Sequence, residues 1–97
     1  MTKLNYRISE AARNDLDGIW EYTFQKWSKE QADRYYSLII NEIEFISDNI
    51  TSGKPMNHVK MGYFASYVKS HMILFQRSEE IVEVIRILHQ RMDIESI

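Results

Sequence analysis

Four groups of side chains in this sequence have the chemistry to act on something. The three histidines, His58, His71 and His89, are the only groups that titrate near neutrality. Their spacing matches neither a His-x-x-x-His helix pair nor a local metal triad, and there is no cysteine to add a thiolate, so no metal site is expected. Asp17 and Glu21 lie four residues apart with Asp15 close by. Paired carboxylates can do acid–base work, but these fall on the helix face opposite Leu16 and Trp20 and read as a solvated acidic face. Trp20, Tyr22, Trp27, Tyr35 and Tyr36 crowd into seventeen residues. One small hairpin cannot bury them all, so some belong to a core and some to a contact surface. Arg86 sits inside an apolar strand, where a charge must be paired or must reach a cleft or partner. With strict alternation, Ile85 faces the helices and Arg86 the free face of the sheet, where it can converge with His89 and Arg91. The other reading is a structural arginine bonded to Glu83, Asp93 or Glu95. No phosphate-cradling glycine loop, nucleophile elbow or Ser/His/Asp set is present.

The elements that must position these groups are legible from periodicity. Leu4, Tyr6 and Ile8 alternate with polar residues, which predicts a strand. Ser9 caps a helix over about 10–26, with Ala12, Leu16, Ile19, Trp20, Thr23 and Trp27 on one face. Ser28-Lys29-Glu30-Gln31 is a capping box, and the helix it opens carries Ala32, Tyr35, Ile39, Ile43, Ile46 and Ile50 as its stripe, ending near Asn49. So short a link makes the two helices an antiparallel hairpin. Thr51 to Pro55 opens a loop to about Met61. Strands over 63–68, 71–77 and 81–89 follow, joined by short turns and therefore antiparallel. The last is apolar on both faces and so is interior, and the N-terminal strand is expected to pair with it, antiparallel. The expected fold is α+β, in two layers: β-α-α-β-β-β, a helical hairpin on a four-stranded antiparallel sheet in the order first, fourth, third, second. The strand at 63–68 is then a free edge.

Ninety-seven residues make one domain spanning 1–97. Twelve basic and fourteen acidic side chains leave a net charge of −2, unlike a dedicated nucleic-acid binder. Residues 1–50 hold six basic and nine acidic groups, residues 51–97 six and five. No acid lies between Asp48 and Glu79, an interval that holds four Lys or Arg and two His. No apolar run is long enough for a membrane span and no secretory leader is recognisable, so a cytoplasmic protein is expected.

Several segments, in order, resemble the ParE toxins of the RelE/ParE superfamily. They are Tyr6-Arg7-Ile8-Ser9 with Ala11-Ala12 and Asp15-Leu16, Ile19-Trp20-Glu21-Tyr22-Thr23 with Trp27, Gln31-Ala32 with Arg34-Tyr35, Gly53-Lys54-Pro55, and Val84-Ile85-Arg86-Ile87-Leu88-His89 with Arg91-Met92-Asp93. The resemblance implies the toxin of a type II toxin–antitoxin system that inhibits DNA gyrase and blocks replication. It implies a ParD-like antitoxin that wraps and neutralises the toxin and alone touches operator DNA. It implies a protein inhibitor without cofactors. Candidate gyrase contacts are Arg86, His89, Arg91, Met92 and Asp93. Candidate antitoxin contacts are Tyr22, Trp27, Tyr35, Phe64 and Tyr67. The alternatives are a RelE-like ribosome-dependent mRNA endonuclease and a non-toxic antitoxin-binding scaffold. A nuclease needs several cations and a general acid or base. Phe64 stands where family members often carry Arg, and the tail offers no Tyr or His.

Overall fold

The computed structural model describes residues 5–49 and 51–91. Their order is β1 (Asn5–Ile8), α1 (Glu10–Lys26), α2 (Lys29–Asp48), β2 (Lys54–Pro55), β3 (Tyr63–Val68), β4 (His71–Arg77) and β5 (Ile81–His89). The fold is α+β, as expected. Ser9 starts α1 by accepting from Ala12 N at 3.0 Å, and it also binds β5, through N–H to Val84 O (3.0 Å) and Oγ to Ile85 O (2.8 Å). One residue thus caps a helix and closes the β1 end of the sheet. Ser28 caps α2 in the same way, accepting from Gln31 N at 3.1 Å, and only Trp27 and Ser28 separate the helices.

The sheet order among the described residues is β1-β5-β4-β3-β2. The four expected strands keep their neighbours, and the two-residue β2 is added at the edge, Lys54 opposite Ala65 and Pro55 opposite Phe64. That addition corrects two expectations. The edge at 63–68 is free only over 66–68, and a proline guards its other half. β1 runs parallel to β5, with Arg7 opposite Glu83, rather than antiparallel. The cause is parity. The 56–62 segment reverses the chain once more between α2 and β3, so every later strand is inverted relative to a four-strand count.

Two clusters of buried residues lie on the sheet. On the hairpin side, Ala12, Leu16, Ile39, Ile43 and Ile46 pack on Val68, Ile73, Phe75, Val82, Val84 and Ile87. The other cluster joins Met56, Ala65, Met72, Leu74 and Leu88, with Val59 and Tyr63 against it. The face expected to be open is therefore partly closed by the 56–62 segment. Among the described residues no helix is long and apolar enough to cross a membrane.

Candidate partner-binding groove

β5 does not alternate throughout. Leu74 pairs with Arg86 but Phe75 with Val84, so Ile85 is the extra residue of a bulge. Past the bulge, the edge of β5 beyond β1 faces α1. There Arg86 gives Asp15 a two-pronged ion pair, Nε to Oδ2 at 2.8 Å and Nη2 to Oδ1 at 3.0 Å, while Ile87 N–H donates to Oδ2 at 2.9 Å. This corrects the expectation that Arg86 faces the free side of the sheet or pairs with Glu83; Asp93 and Glu95, the other expected partners, lie outside the described residues. Glu83 is taken by Arg7, at 3.0 Å. The hydrogen bond to Asp15 raises the guanidinium's already high pKa, so Arg86 is a fixed, neutralised cation. Asp15 belongs to no solvated acidic face. Its side chain keeps only 15% of its exposure.

The ion pair forms one wall of a groove of about 1010 Å³. From α1 come Asp15, Gly18, Ile19, Tyr22 and Lys26, and from its C-cap Trp27. From α2 come Arg34, Tyr35 and Leu38, and the sheet end adds Lys69, His71 and Arg86 to His89. The 3–4 spacing that aligns Asp15, Gly18 or Ile19, Tyr22 and Lys26 on α1 puts them on one face. Gly18 leaves open space there, since a Cβ would meet nothing within 4 Å. The rim is apolar and uncovered: Trp27 is 70% exposed and Tyr22 62%. Lys26 lies over the Tyr22 ring at 5.8 Å. Among the described residues Arg34 and Lys69 have no carboxylate partner. Lys69 sits in the β3–β4 turn with φ 51°, left-handed where a glycine is the easier residue.

The groove floor holds a titratable cluster. Tyr35 Oη lies 3.2 Å from Val68 O and 2.6 Å from His71 Nδ1. The phenol has one proton for two neighbours, so the tautomer of His71 decides which of them it serves. The His71 ring meets His89 edge to face at 5.3 Å. Burial, then the neighbouring His89, pushes the His71 pKa below the usual imidazole value against a smaller opposing pull from Asp15. Among the described residues no group of three His, Asp or Glu is close enough to hold a metal.

Of the residues singled out from the sequence, Tyr22, Trp27, Tyr35, Arg86 and His89 meet in this groove. Arg91 lies beside it, its N–H donating to His89 Nδ1 at 3.2 Å. Met92 and Asp93 lie outside the described residues. Phe64 and Tyr67 are elsewhere. Phe64 stacks on Phe75 at 5.7 Å, and Tyr67, 49% exposed, stands opposite Met72. Asp15, Leu38, Lys69 and His71 escaped the sequence reading as groove residues. Only Asp15 had a usable signal, its helical spacing to Ile19 and Tyr22.

Comparison with known proteins agrees with this fold. The profile of the family described as ParE toxin of type II toxin-antitoxin system, parDE, matches residues 6–94. The chain is 40% identical over 88 residues to Toxin ParE1 of Caulobacter vibrioides, covering 91% of each chain. It is 31% identical over 91 residues to Toxin ParE1 of Mycobacterium tuberculosis, covering 93% of each. In fold it is similar to a chain of the chromosomal ParDE system from P. aeruginosa, with TM-score 0.78, 15% identity, and 90% of this chain and 96% of that one covered. It is also similar to a chain of the toxin–antitoxin complex RelBE2 from Mycobacterium tuberculosis, with TM-score 0.67, 19% identity, and 91% and 99% covered. The match over nearly the whole chain, with relatives above 30% identity, means that this protein belongs to the ParE family of type II toxin–antitoxin toxins.

Proposed function

We propose that the chain is a toxin that inhibits DNA gyrase, and so replication, in the cytoplasm, and that a ParD-like antitoxin neutralises it by filling the groove between the hairpin and the end of the sheet. The observation that carries this reading is convergence. The aromatics Tyr22, Trp27 and Tyr35, which suit an antitoxin segment, share one groove with Arg86 and His89, which suit the target. A segment lying there excludes anything else that needs the same wall, so neutralisation follows from occupancy. Amphipathic segments dock in such grooves by spaced apolar anchors. Arg91, Met92 and Asp93 extend the target contact from the end of β5. Phe64 and Tyr67 give the antitoxin a second hold on β3, whose edge is unpaired over 66–68. Operator DNA is reached only through the antitoxin.

The protein acts as an inhibitor and not as an enzyme. A RelE-like nuclease would need a free cation to stabilise a pentacoordinate phosphate. Arg86, the cation of the wall beside His71 and His89, is already neutralised by Asp15, so that role would fall to Arg34 or Lys69 at the rim. The test is a supercoiling assay with purified gyrase, run beside an mRNA cleavage assay on ribosomes. Supercoiling that the chain inhibits and antitoxin restores, with Trp27→Glu folded and still inhibiting but no longer neutralised, is the expected result. Cleaved mRNA with unaffected gyrase would overturn it in favour of the nuclease.

A further inference from the structure

The outer side of the hairpin carries a second aromatic surface. Trp20 and Phe24, one turn apart on α1, stack with centroids 5.2 Å apart and planes 10° from parallel. Trp20 Nε1 donates to Asp33 of α2 at 2.9 Å, which holds the stack upright. With Tyr36 they line a shallow depression of about 400 Å³, and Phe24 remains 47% exposed. Its rim is acidic, from Asp17 and Glu21. Neither has a cationic partner among the described residues. Six of the eight large apolar side chains left exposed in the described residues belong to the hairpin, divided between this surface, the groove and Phe45.

The two surfaces are matched in chemistry and opposite in sign. The groove is aromatic with Lys26, Arg34 and Lys69 around it, and the outer patch is aromatic with Asp17 and Glu21. We infer that a second copy of this chain covers the outer patch, the acid-rimmed patch of one molecule seating in the basic-rimmed groove of the next. Groove on groove would bring cations together and patch on patch would bring carboxylates together, so like pairings are disfavoured. A contact between two different surfaces leaves one of each unused, and it propagates into open chains rather than closing as a dimer. The inference shares the groove with the proposed antitoxin site, so an antitoxin seated there would cap such chains.

Sedimentation of the full chain over a concentration series tests this. Average mass should climb past the dimer with concentration and fall as salt is raised. Glu21 and Arg34 are both exposed, so reversing either leaves the core intact. Glu21→Lys alone and Arg34→Glu alone should each associate more than about tenfold more weakly. An equimolar mixture of the two should regain association, because each reversed surface then finds a complement. A wild-type chain that stays monomeric, a single variant that associates like wild type, or a mixture that fails to recover would each overturn the inference. Addition of the ParD-like antitoxin separates the two readings. Chains that persist with antitoxin bound would remove the groove as the antitoxin site while leaving self-association standing.

Discussion

Arg86 and Arg77 lie on neighbouring strands at opposite ends of the sheet, and each is held by different physics. Arg86 is clamped by a carboxylate and sits in a wall of the groove. Among the described residues Arg77 has no carboxylate partner. Its guanidinium lies over the faces of Phe64 and Phe75, at 5.1 and 5.4 Å, and Nη2 donates to Ser52 O at 2.7 Å. Burial lowers its pKa where Asp15 raises that of Arg86. The Arg86 end presents polar groups to a groove, and the Arg77 end uses a cation as part of the packing. A charged residue in an apolar strand is thus no sign of function by itself. What distinguishes the two ends is whether open space adjoins the charge.

The sharpest way to break the packed end is Gly53→Ala. Gly53 has φ +98°, and a Cβ there would stand 2.7 Å from Phe75 Cζ, in the ring that Arg77 covers. Backbone strain and overpacking together should cost about 3 kcal/mol, read as a lower urea midpoint with unchanged slope. At the groove end, Asp15→Ala strands the Arg86 guanidinium and the Ile87 N–H, for a loss of about 2 kcal/mol. A double-mutant cycle with Arg86→Ala should return most of that as coupling. In Arg86→Ala itself, gyrase inhibition should fall further than folding does, since Arg86 is also proposed to meet the target. Inhibition that falls only as far as folding does would remove Arg86 from the target contact. Arg77→Leu keeps some apolar cover and gives up the cation–π contact and the Ser52 bond, so a cost of about 1 kcal/mol is expected by thermal melting. Lys69→Gly relieves the left-handed turn and should raise stability by less than about 1 kcal/mol, and no gain would place the strain elsewhere.

The last test is a slope rather than a step. The folded chain holds His71 below the ordinary imidazole pKa, so the unfolded chain takes up its proton first as pH falls. Stability contributed by neutral His71 is complete above about pH 6.5 and drains away as pH drops through the lowered folded value. His71→Gln should flatten the melting temperature across that interval.

Much of this was legible from residue order. Both helices, both serine caps and the hairpin follow from local rules, because a cap and an apolar stripe act within a few residues. The aromatics of the groove were visible as a surplus that the hairpin could not bury. What escaped depends on counting across distance. The direction of β1 turns on whether 56–62 reverses the chain, and no single residue there announces it. The direction of Arg86 turns on a one-residue bulge at Ile85, which shifts register without a glycine to mark it. Asp15 looked like its neighbours Asp17 and Glu21 because all three sit on one helix. Only the arrival of β5 from 71 residues away separates it from them.

The parallel seam between β1 and β5 ties the start of the chain to its last strand, Arg7 to Glu83 across 76 positions. A polypeptide is made from its N-terminus, so β1, the Ser9 cap and the inner faces of both helices wait through most of synthesis for the strand that completes them. Ile81 to His89 is at once the partner of β1, the partner of β4 and a wall of the groove. A chain that stops short of it has a helical hairpin with nothing to lie on. A chain that ends before Ile81 is therefore expected to form no folded domain.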